Sequence, residues 1–334
     1  MSLRVASFGL LTTVQDLGRR GFQHLGVGPG GAMDEASHRI ANLLLGNPNH
    51  APTLEITLSG PSLYFETESM ITLCGADLSP RIADQRMPLW RPVMVAAGSL
   101  LSFGRPVQGA RCYLGVEGGF QVPRVMGSAS THLSAGFGGF QGRPLKIGDR
   151  LETGPCPKVR YPSLRQRFHQ GQHLLLGPDW FVPWYQFLEF AQPAMLRFIP
   201  GSQWSGLTGP SRQCLLASPF EVAAHSNRMG IRLLGPKLSL EQPQEMVSSG
   251  VAMGTLQLPS DGSIILLMAD RQTTGGYPRL GEVVSVDLPR AAQLRPGEAL
   301  RLSQVSVEEA QDLFLSREKR FHDLELVLAD QQTL

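Results

Sequence analysis

Two short stretches decide our prediction of the fold: residues 58–63 read LSGPSL, and residues 233–238 read LLGPKL. Each is followed later in the chain by a Gly-Gly-aromatic element, GGF at residues 118–120 and GGY at residues 275–277. The spacings differ, but the order is the same in both halves. Two echoes in the same order are typical of a duplication with changed loops. The sequence therefore predicts two related β-units.

The composition favours short strands over long helices. Of the 334 residues, 42% are hydrophobic and only 17% are charged, and the chain contains 37 Gly and 25 Pro. This punctuation excludes a helical bundle or a coiled coil and fits strands joined by tight turns. Strand-like segments rich in Leu, Ile and Val lie at residues 53–58, 62–66, 70–74, 99–103, 112–116, 230–234, 254–258, 263–268 and 282–287.

Few helices are predicted. Residues 35–45 follow Asp34 in the N-cap position and carry an apolar stripe. Residues 183–190 are predicted to form a short aromatic helix. Residues 307–317 follow a capping-box pattern, with an extension through residue 328 that would cover a sheet edge or dock a partner.

The predicted domain boundaries follow from the repeat. We expect a first β-unit over residues 1–155, a linker over 156–173, and a second β-unit with a C-terminal helix over 174–334. The linker region is rich in proline and has no acidic residue. Its basic residues are Lys158, Arg160, Arg165 and Arg167. It is interpreted either as a solvated linker or as a phosphate-binding stripe.

Charge and cysteine content indicate an ordinary intracellular protein. The formal net charge is +2, from 30 basic and 28 acidic residues, so there is no electrostatic argument for nucleic-acid or membrane binding. No apolar run approaches the 18 or so residues of a membrane span, and no signal-peptide pattern is found. The four cysteines are far apart, which predicts reduced thiols and a cytoplasmic location.

The first glycine-rich candidate segment is residues 12–34, TTVQDLGRRGFQHLGVGPGGAMD. Gly28, Gly30 and Gly31 lead into the start of a predicted helix, where backbone N–H groups favour an anion. No Gly-Lys-Ser/Thr follows, so the segment is not a P-loop. Asp34 would place a carboxylate where the anion would lie. A plain loop-to-helix turn and a ligand loop therefore both remain open.

The second candidate segment is residues 115–142, which includes GSASTH at 127–132. Hydroxyl groups beside glycines can orient a carboxylate or a phosphate. No Gly-x-Ser-x-Gly elbow is present, which disfavours a serine hydrolase. His132 is interpreted either as a general base or as a hydrogen-bonded structural histidine.

The third segment, DRQTTGGYP at residues 270–278, is the strongest candidate. It directly follows an apolar strand, and a run of polar and glycine residues packs poorly in a core. It offers a guanidinium, an amide, two hydroxyls and bare backbone, which suits a ligand wall. A complex β-turn is the alternative. Arg228 lies just before another strand and adds a second guanidinium.

No metal or nucleotide motif is recognised. The eight histidines include no HxH or HExxH pair, and His169 and His173, four residues apart, have no carboxylate ligands nearby in the sequence. No Rossmann or Walker pattern occurs. We therefore expect no metal site and no standard loop for NAD or ATP.

The motifs resemble those of the KipA/allophanate-hydrolase-subunit-2 family. The resemblance rests on residues 12–34, LEITLSGPSL, YLGVEGGFQVPRVMGS, NRMGIRLLGP and ADRQTTGGYPRL, and it extends from about residue 7 to about residue 302. It implies a mainly β fold of two tandem cyclophilin-like β-barrels with a few short helices. It also implies a subunit-B/KipI-like partner, with the active site near their junction.

Four positions depart from the family pattern: Ala129, Ser134, Asn227 and Ser249. Each stands where a charged residue is expected, and a missing arginine removes a carboxylate clamp that Ala or Ser cannot replace. Other motif positions keep the expected identity: Gln15, Asp16, Arg19, Asp34, Arg228, Arg271, Gln272, Thr273 and Thr274.

Three functions follow from this resemblance. The first is a subunit of an ATP-dependent amide hydrolase that opens 5-oxoproline to glutamate together with subunit-A-like and subunit-B-like partners. The second is a component of a biotin-dependent carboxyltransferase acting on a urea-like or amide-like substrate, although the chain has no biotin-accepting Met-Lys-Met. The third is a regulatory binder of a KipI-like protein, which would tolerate the four departures.

For the first function we assign candidate roles. Asp34 or Asp270 would act as acid or base, Arg271 or Arg228 would neutralise carboxylate or phosphate charge, and Thr273 would donate to an oxyanion. The candidate substrate-binding residues are Gln15, Arg19, Gly30, Gly31, Arg228, Gln272, Thr274, Gly275, Gly276 and Tyr277.

Overall fold

The computed structural model describes residues 2–156, 160–242 and 246–333, and the chain forms two compact units. Unit 1 comprises Met1–Gly18, Asp34–Leu188 and Arg320–Leu334. Unit 2 comprises Arg19–Met33 and Glu189–Lys319. The glycine-rich segment 19–33 therefore belongs to the unit built by the second half of the chain.

Unit 1 contains two six-stranded sheets. Its strands are β1 (Ser2–Ser7), β2 (Leu11–Gln15), β3 (Thr53–Thr57), β4 (Ser62–Phe65), β5 (Ser69–Asp77), β6 (Arg81–Ile82), β7 (Gln85–Arg86), β8 (Val93–Val95), β9 (Leu100–Ser102), β10 (Gln108–Val116), β11 (Arg150–Glu152) and β12 (Leu175–Leu176). One sheet has the order β11-β1-β4-β9-β6-β7 and the other β12-β8-β5-β10-β3-β2. Fully buried side chains of both sheets, such as Phe65 and Leu114, form one core between them.

Helix α1 (Glu35–Leu45) forms as the sequence predicts. The Asp34 carboxylate accepts from the Ser37 backbone N–H at 2.9 Å, and Gly46 ends the helix with φ 61°. A positive φ of this kind favours glycine. Ile40 lies on the buried face of the helix and is fully inaccessible.

The predicted linker, residues 156–173, is packed structure rather than a solvated connection. It contains helix α2 (Pro162–Gln170), whose Leu164 and Phe168 pack with Met70 and Met94 of unit 1. Two apolar side chains four residues apart make one helix face, and burying that face places the segment inside unit 1. Residues 157–159 lie outside the described residues.

Unit 2 is a closed seven-stranded barrel with the order β13-β20-β17-β18-β15-β14-β21. The strands of unit 2 are β13 (Ala194–Pro200), β14 (Phe220–Val222), β15 (Gly230–Leu234), β16 (Ser249–Gly250), β17 (Thr255–Gln257), β18 (Ile264–Leu267), β19 (Thr274–Gly275), β20 (Arg279–Val283) and β21 (Ala299–Gln304). β16 and β19 form a separate two-stranded hairpin. Leu256, Leu266 and Leu280 lie in the barrel core.

The remaining helices are α3 (Gly209–Ala217), α4 (Leu288–Gln293) and α5 (Val307–Gln331), with short 3₁₀ turns at Gln23–Leu25 and Trp184–Gln186. The mainly β prediction with few helices is confirmed, and a barrel is confirmed in unit 2. The strand predicted at 282–287 is shifted to β20, because Asp287 already occupies the N-cap position of α4. No helix in the described part of the chain is long and apolar enough to cross a bilayer.

The two echoes that began the sequence argument share a packing detail. A Cβ atom at Gly60 would overlap the Phe103 ring, and a Cβ atom at Gly235 would overlap the Phe220 ring. In both units the glycine of the Leu-x-Gly-Pro element therefore lies directly against a phenylalanine. This common requirement gives a physical reason for the repeated glycine.

Candidate functional site

The polar segment after β18 is fixed at both ends. Met268 N–H donates to the Met229 carbonyl at 3.0 Å, and Asp270 N–H donates to the Arg228 carbonyl at 2.8 Å. Further along, Gly275 pairs with Ser249 in the β16–β19 hairpin. The segment is thus held beside the turn before β15 at one end and in the hairpin at the other.

Arg228 and Asp270 form a buried, two-bonded ion pair in unit 2. Arg228 Nε donates to Asp270 Oδ2 at 2.8 Å, and Nη2 donates to Oδ1 at 2.9 Å. Nη2 also donates to the Gly31 carbonyl at 2.7 Å. Both side chains are less than 5% exposed. The pair therefore joins the polar segment to the glycine-rich segment of the same unit, and Arg228 is engaged by a carboxylate of the protein itself.

Arg19 and Gly30 complete this part of the site. A Cβ atom at Gly30 would lie 3.4 Å from Arg19 Nη1 and 3.7 Å from Asp270 Oδ1. Gly30 has φ 63° and Gly31 has φ 93°, which are conformations that favour glycine. Arg19 is buried, and its backbone N–H donates to the Pro29 carbonyl at 2.8 Å. The structure thus brings together five predicted residues that lie far apart in the sequence.

Arg271 is buried on a different side of the segment. Its side chain is 8% exposed, and its guanidinium donates to the carbonyls of Val251 (3.3 Å, from Nε) and Met268 (3.4 Å, from Nη1). Among the described residues no carboxylate lies within 4.0 Å of it. Burial lowers the pKa of Arg271, while the charge of Glu282 opposes that effect. A buried cation that has only long bonds to carbonyls suits an incoming anion.

The rest of the segment forms an accessible surface. Gln272, Thr274, Gly276 and Tyr277 are exposed, and Thr273 is half-buried with its carbonyl accepting from the Val251 N–H at 3.2 Å. Exposed polar side chains and bare backbone next to a buried guanidinium are compatible with the predicted ligand wall.

Sequence reasoning missed three side chains on neighbouring strands. Thr255 and Gln257 lie on β17, and Glu282 lies on β20 opposite Thr255. The Thr255 hydroxyl donates to Glu282 Oε2 at 2.8 Å, and burial raises the pKa of Glu282. The sequence signal for Thr255 and Gln257 is the alternation of polar and apolar residues along the strand. The structure shows that both polar residues of this strand are nevertheless buried.

Gln15 and Asp34 belong to unit 1. Gln15 is buried and donates to the Thr13 hydroxyl at 3.0 Å. Asp34 caps α1, and its second carboxylate oxygen accepts from the Ser37 hydroxyl at 2.6 Å. The Asp34 N–H donates to the Tyr113 hydroxyl, and burial raises the pKa of that tyrosine. These contacts account for the burial of Asp34, and its acid–base role stays a prediction.

Asp16 organises the second glycine-rich segment within unit 1. Its carboxylate accepts from the hydroxyls of Ser128 and Ser130 at 2.6 Å each and from the Ala129 N–H at 2.7 Å. Ala129, one of the four departures, therefore contributes its backbone to this network. The hydroxyls that suggested ligand binding are used to hold the segment to the strand that precedes Asp16.

His132 has the geometry of a structural histidine. Its ring stacks on the Phe137 ring, with the ring centroids 5.1 Å apart. Nδ1 accepts from the Ala135 N–H at 3.3 Å, and the Ser134 hydroxyl lies within hydrogen-bond distance of Nδ1 at 3.2 Å.

Among the other departures, Asn227 Oδ1 accepts from the Met229 N–H at 2.8 Å, which shapes the turn before β15.

Two of the four basic residues in the predicted phosphate-binding stripe form contacts inside unit 1. Arg165 forms two bonds to the Glu117 carboxylate at 2.6 and 2.7 Å, and Arg160 donates to the Gly46 carbonyl at 2.8 Å. Lys158 lies outside the described residues. Arg160 and Arg165 are therefore engaged by groups of the protein itself, which disfavours the phosphate-binding interpretation.

Thiols and metal ligands give no further site. None of the four cysteines forms a disulfide bond within the described residues, and burial raises the pKa of Cys74 and Cys112. The described residues contain no group of three or more His, Cys, Asp or Glu side chains that could hold a metal ion.

Comparison with known proteins gives a family match and full-length relatives. The family model "Carboxyltransferase domain, subdomain A and B" matches residues 25–304. The chain is 38% identical to the C subunit of 5-oxoprolinase from Escherichia coli over 322 residues, covering 96% of this chain and 97% of that protein. It is 34% identical to the corresponding 5-oxoprolinase protein of Haemophilus influenzae, with 90% of each chain covered.

Solved structures show the same fold within larger proteins. The Kluyveromyces lactis urea amidolyase matches with a TM-score of 0.86 and 29% identity over 97% of this chain. The urea carboxylase of the same yeast gives the same score and identity. The chain spans only 20% of the amidolyase and 29% of the carboxylase.

Proposed function

Because the chain belongs to the carboxyltransferase-domain family, subdomains A and B, we propose that it is the C subunit of an ATP-dependent 5-oxoprolinase that opens 5-oxoproline to glutamate. The observation that carries this proposal is the 38% identity that extends over 97% of the Escherichia coli protein. The urea amidolyase of Saccharomyces cerevisiae is 29% identical, and the chain covers 17% of it. Length and identity therefore both favour a 5-oxoprolinase component over a carboxyltransferase part of a larger enzyme.

ATP and the partner subunits belong to the proposal. We propose that a subunit-A-like and a subunit-B/KipI-like protein complete the enzyme in the cytoplasm. The start of α1 does not suit a polyphosphate, because the Asp34 carboxylate already accepts from the Ser37 N–H there. We therefore assign ATP to the complex and not to this glycine-rich turn.

The chemistry assigns different tasks to the two buried arginines. Ring opening breaks the lactam C–N bond, and water gives its hydroxyl to the carbonyl carbon and a proton to the nitrogen. Arg271 would bind the anionic group of the substrate, because no carboxylate of the described residues pairs with it. Arg228 and Asp270 neutralise each other and would position the Gly31 carbonyl. Asp270 is thus proposed as a positioning residue instead of an acid or base.

The oxyanion that develops at the carbonyl needs donors. Our candidates are the hydroxyl of the half-buried Thr273 and the backbone of the exposed Gly276. Preorganised donors of this kind contribute several kcal/mol, of order 3, to catalysis. Gln272, Thr274 and Tyr277 remain candidate substrate contacts.

The test is reconstitution. The purified chain is combined with the A-like and B-like proteins of its own genome, and glutamate and ADP are measured with 5-oxoproline and ATP. We expect turnover with both partners and none with the chain alone. Turnover by the isolated chain would contradict the subunit role. Stable binding of the B-like protein without any turnover would favour the regulatory alternative.

A further inference from the structure

A buried amide under the β16–β19 hairpin has no evident structural task. Gln257 is 1% exposed, and among the described residues its Nε2 has no hydrogen-bond partner. A Cβ atom at Gly275 would overlap Nε2, so the amide faces bare backbone. A buried N–H donor without an acceptor destabilises the folded state. Such a donor suits a ligand acceptor better than it suits the core.

An acceptor lies on the same face of the barrel. Leu256 faces the core, so its neighbours Thr255 and Gln257 both point to the opposite face of β17. Residues two apart on a strand are separated by about 7 Å. Because the Thr255 hydroxyl donates to the Glu282 carboxylate at 2.8 Å, that carboxylate lies beside the residue two positions before Gln257 on the same strand.

A cation adjoins the same place. Arg271 Nε donates to the Val251 carbonyl at 3.3 Å, and Val251 Cγ1 would lie 3.2 Å from a Cβ atom at Gly275. Val251 therefore lies between the Arg271 guanidinium and the backbone that covers Gln257. Gly275 thus lies against the Gln257 N–H donor and beside Val251, whose carbonyl accepts from the Arg271 guanidinium, while the Glu282 carboxylate bonds to Thr255 on the strand of Gln257.

These three groups match a cyclic amide that carries a carboxylate. We propose that Gln257 determines specificity by donating from Nε2 to the ring carbonyl, with Glu282 accepting from the ring N–H and Arg271 pairing with the carboxylate. This proposal rests on the proposed function and names the residues that would read its substrate. The ring takes the place that Gly275 occupies over the amide in this structure.

The experiment uses the reconstituted complex with Gln257→Met, a change that keeps the length of the side chain. KM and kcat for 5-oxoproline and the thermal unfolding midpoint are measured for this variant and the wild type. Calorimetric titrations use 5-oxoproline, 2-pyrrolidone, which lacks the carboxylate, and proline, which lacks the ring carbonyl. Gln293→Met, at a second buried glutamine of unit 2, is the matched control.

We expect Gln257→Met to lower kcat/KM about tenfold, the loss of one neutral hydrogen bond to the reacting carbonyl. The unfolding midpoint should stay the same or rise, because an unpaired buried donor is removed. Proline binding should not change. Arg271→Met should weaken binding of 5-oxoproline but not of 2-pyrrolidone. Gln293→Met should leave kcat/KM unchanged.

A wild-type kcat/KM in Gln257→Met, or an equal loss of proline binding, would overturn the inference while leaving the proposed function intact. A wild-type complex without turnover would overturn the proposed function. Titration then decides the inference separately: binding of 5-oxoproline that depends on Gln257 supports it, and no binding to the wild type overturns it.

Discussion

Two buried arginines of unit 2 provide a matched pair for one decisive comparison. Arg228 is 3% exposed and forms two bonds to Asp270, whereas Arg271 is 8% exposed and has no carboxylate within 4.0 Å among the described residues. The substitutions Arg228→Met and Arg271→Met each remove one charge and keep most of the apolar stem. Any difference between the variants therefore reports what each guanidinium contacts.

Arg228→Met should mainly lower stability, whereas Arg271→Met should mainly lower activity. Arg228→Met leaves the Asp270 carboxylate buried without its counterion, which costs about 3–5 kcal/mol of unfolding free energy. Arg271→Met removes two bonds of 3.3 and 3.4 Å to backbone carbonyls, and these are worth about 1 kcal/mol or less in total. If Arg271 binds the substrate anion, kcat/KM falls by about 2–4 kcal/mol, roughly 30- to 1,000-fold.

The assay combines thermal unfolding of each variant with kcat/KM of the reconstituted complex, normalised to folded protein. We expect Arg228→Met to lose stability strongly and Arg271→Met to lose activity while it unfolds near the wild-type midpoint. The reasoning is refuted if Arg271→Met is destabilised as strongly as Arg228→Met and its folded fraction has wild-type activity.

Three further predictions concern stability. His38 is fully buried, and burial lowers its pKa to about 4, so only the unfolded state takes up a proton between pH 6.5 and 4. The free energy of unfolding of the wild type should therefore fall by about 3 kcal/mol over that range. Urea titrations at both pH values should show this loss in the wild type but not in His38→Gln. Burial raises the pKa of Glu282, so ionisation of this carboxyl group at neutral pH opposes folding. Glu282→Gln should therefore raise the unfolding midpoint at pH 7.5. This gain should vanish as the pH falls below the raised pKa, because the wild-type carboxyl group then becomes protonated. Gly60→Ala and Gly235→Ala should each lower the free energy of unfolding by about 1–3 kcal/mol in chemical denaturation, because the added methyl group overlaps a phenylalanine ring. The control Gly209→Ala should leave it unchanged, because its methyl group meets nothing within 4 Å. Equal effects at the three positions would contradict the packing argument.

Local patterns predicted much of the secondary structure. α1 begins and ends where its cap and its terminal glycine indicate, and β15 has the predicted bounds. These features depend on residues within a few positions of one another, so the sequence carries the signal directly. Helix α2 was missed because its proline-rich surroundings resemble a linker and its two apolar residues are a weak stripe.

The site was predicted in part for the same reason. A polar, glycine-rich run directly after an apolar strand marks residues 270–278 without any knowledge of the fold. The buried polar residues Thr255 and Gln257 were missed because alternation in a strand normally places polar side chains in solvent. In the structure Gly275 lies against the Gln257 amide, and the Thr255 hydroxyl donates to the Glu282 carboxylate.

By itself, the sequence of this protein determined that it is rich in strands, where α1 begins and ends, and which segment is too polar for a core. Only the tertiary structure decided that Arg228 pairs with Asp270, that Arg271 is buried with no carboxylate of the described residues within 4.0 Å, and that Gly31 joins the unit of the second half. Arg228 and Gly31 are 197 residues apart. Contacts over such separations depend on strand register and barrel closure, and no pattern within a short window of sequence encodes either.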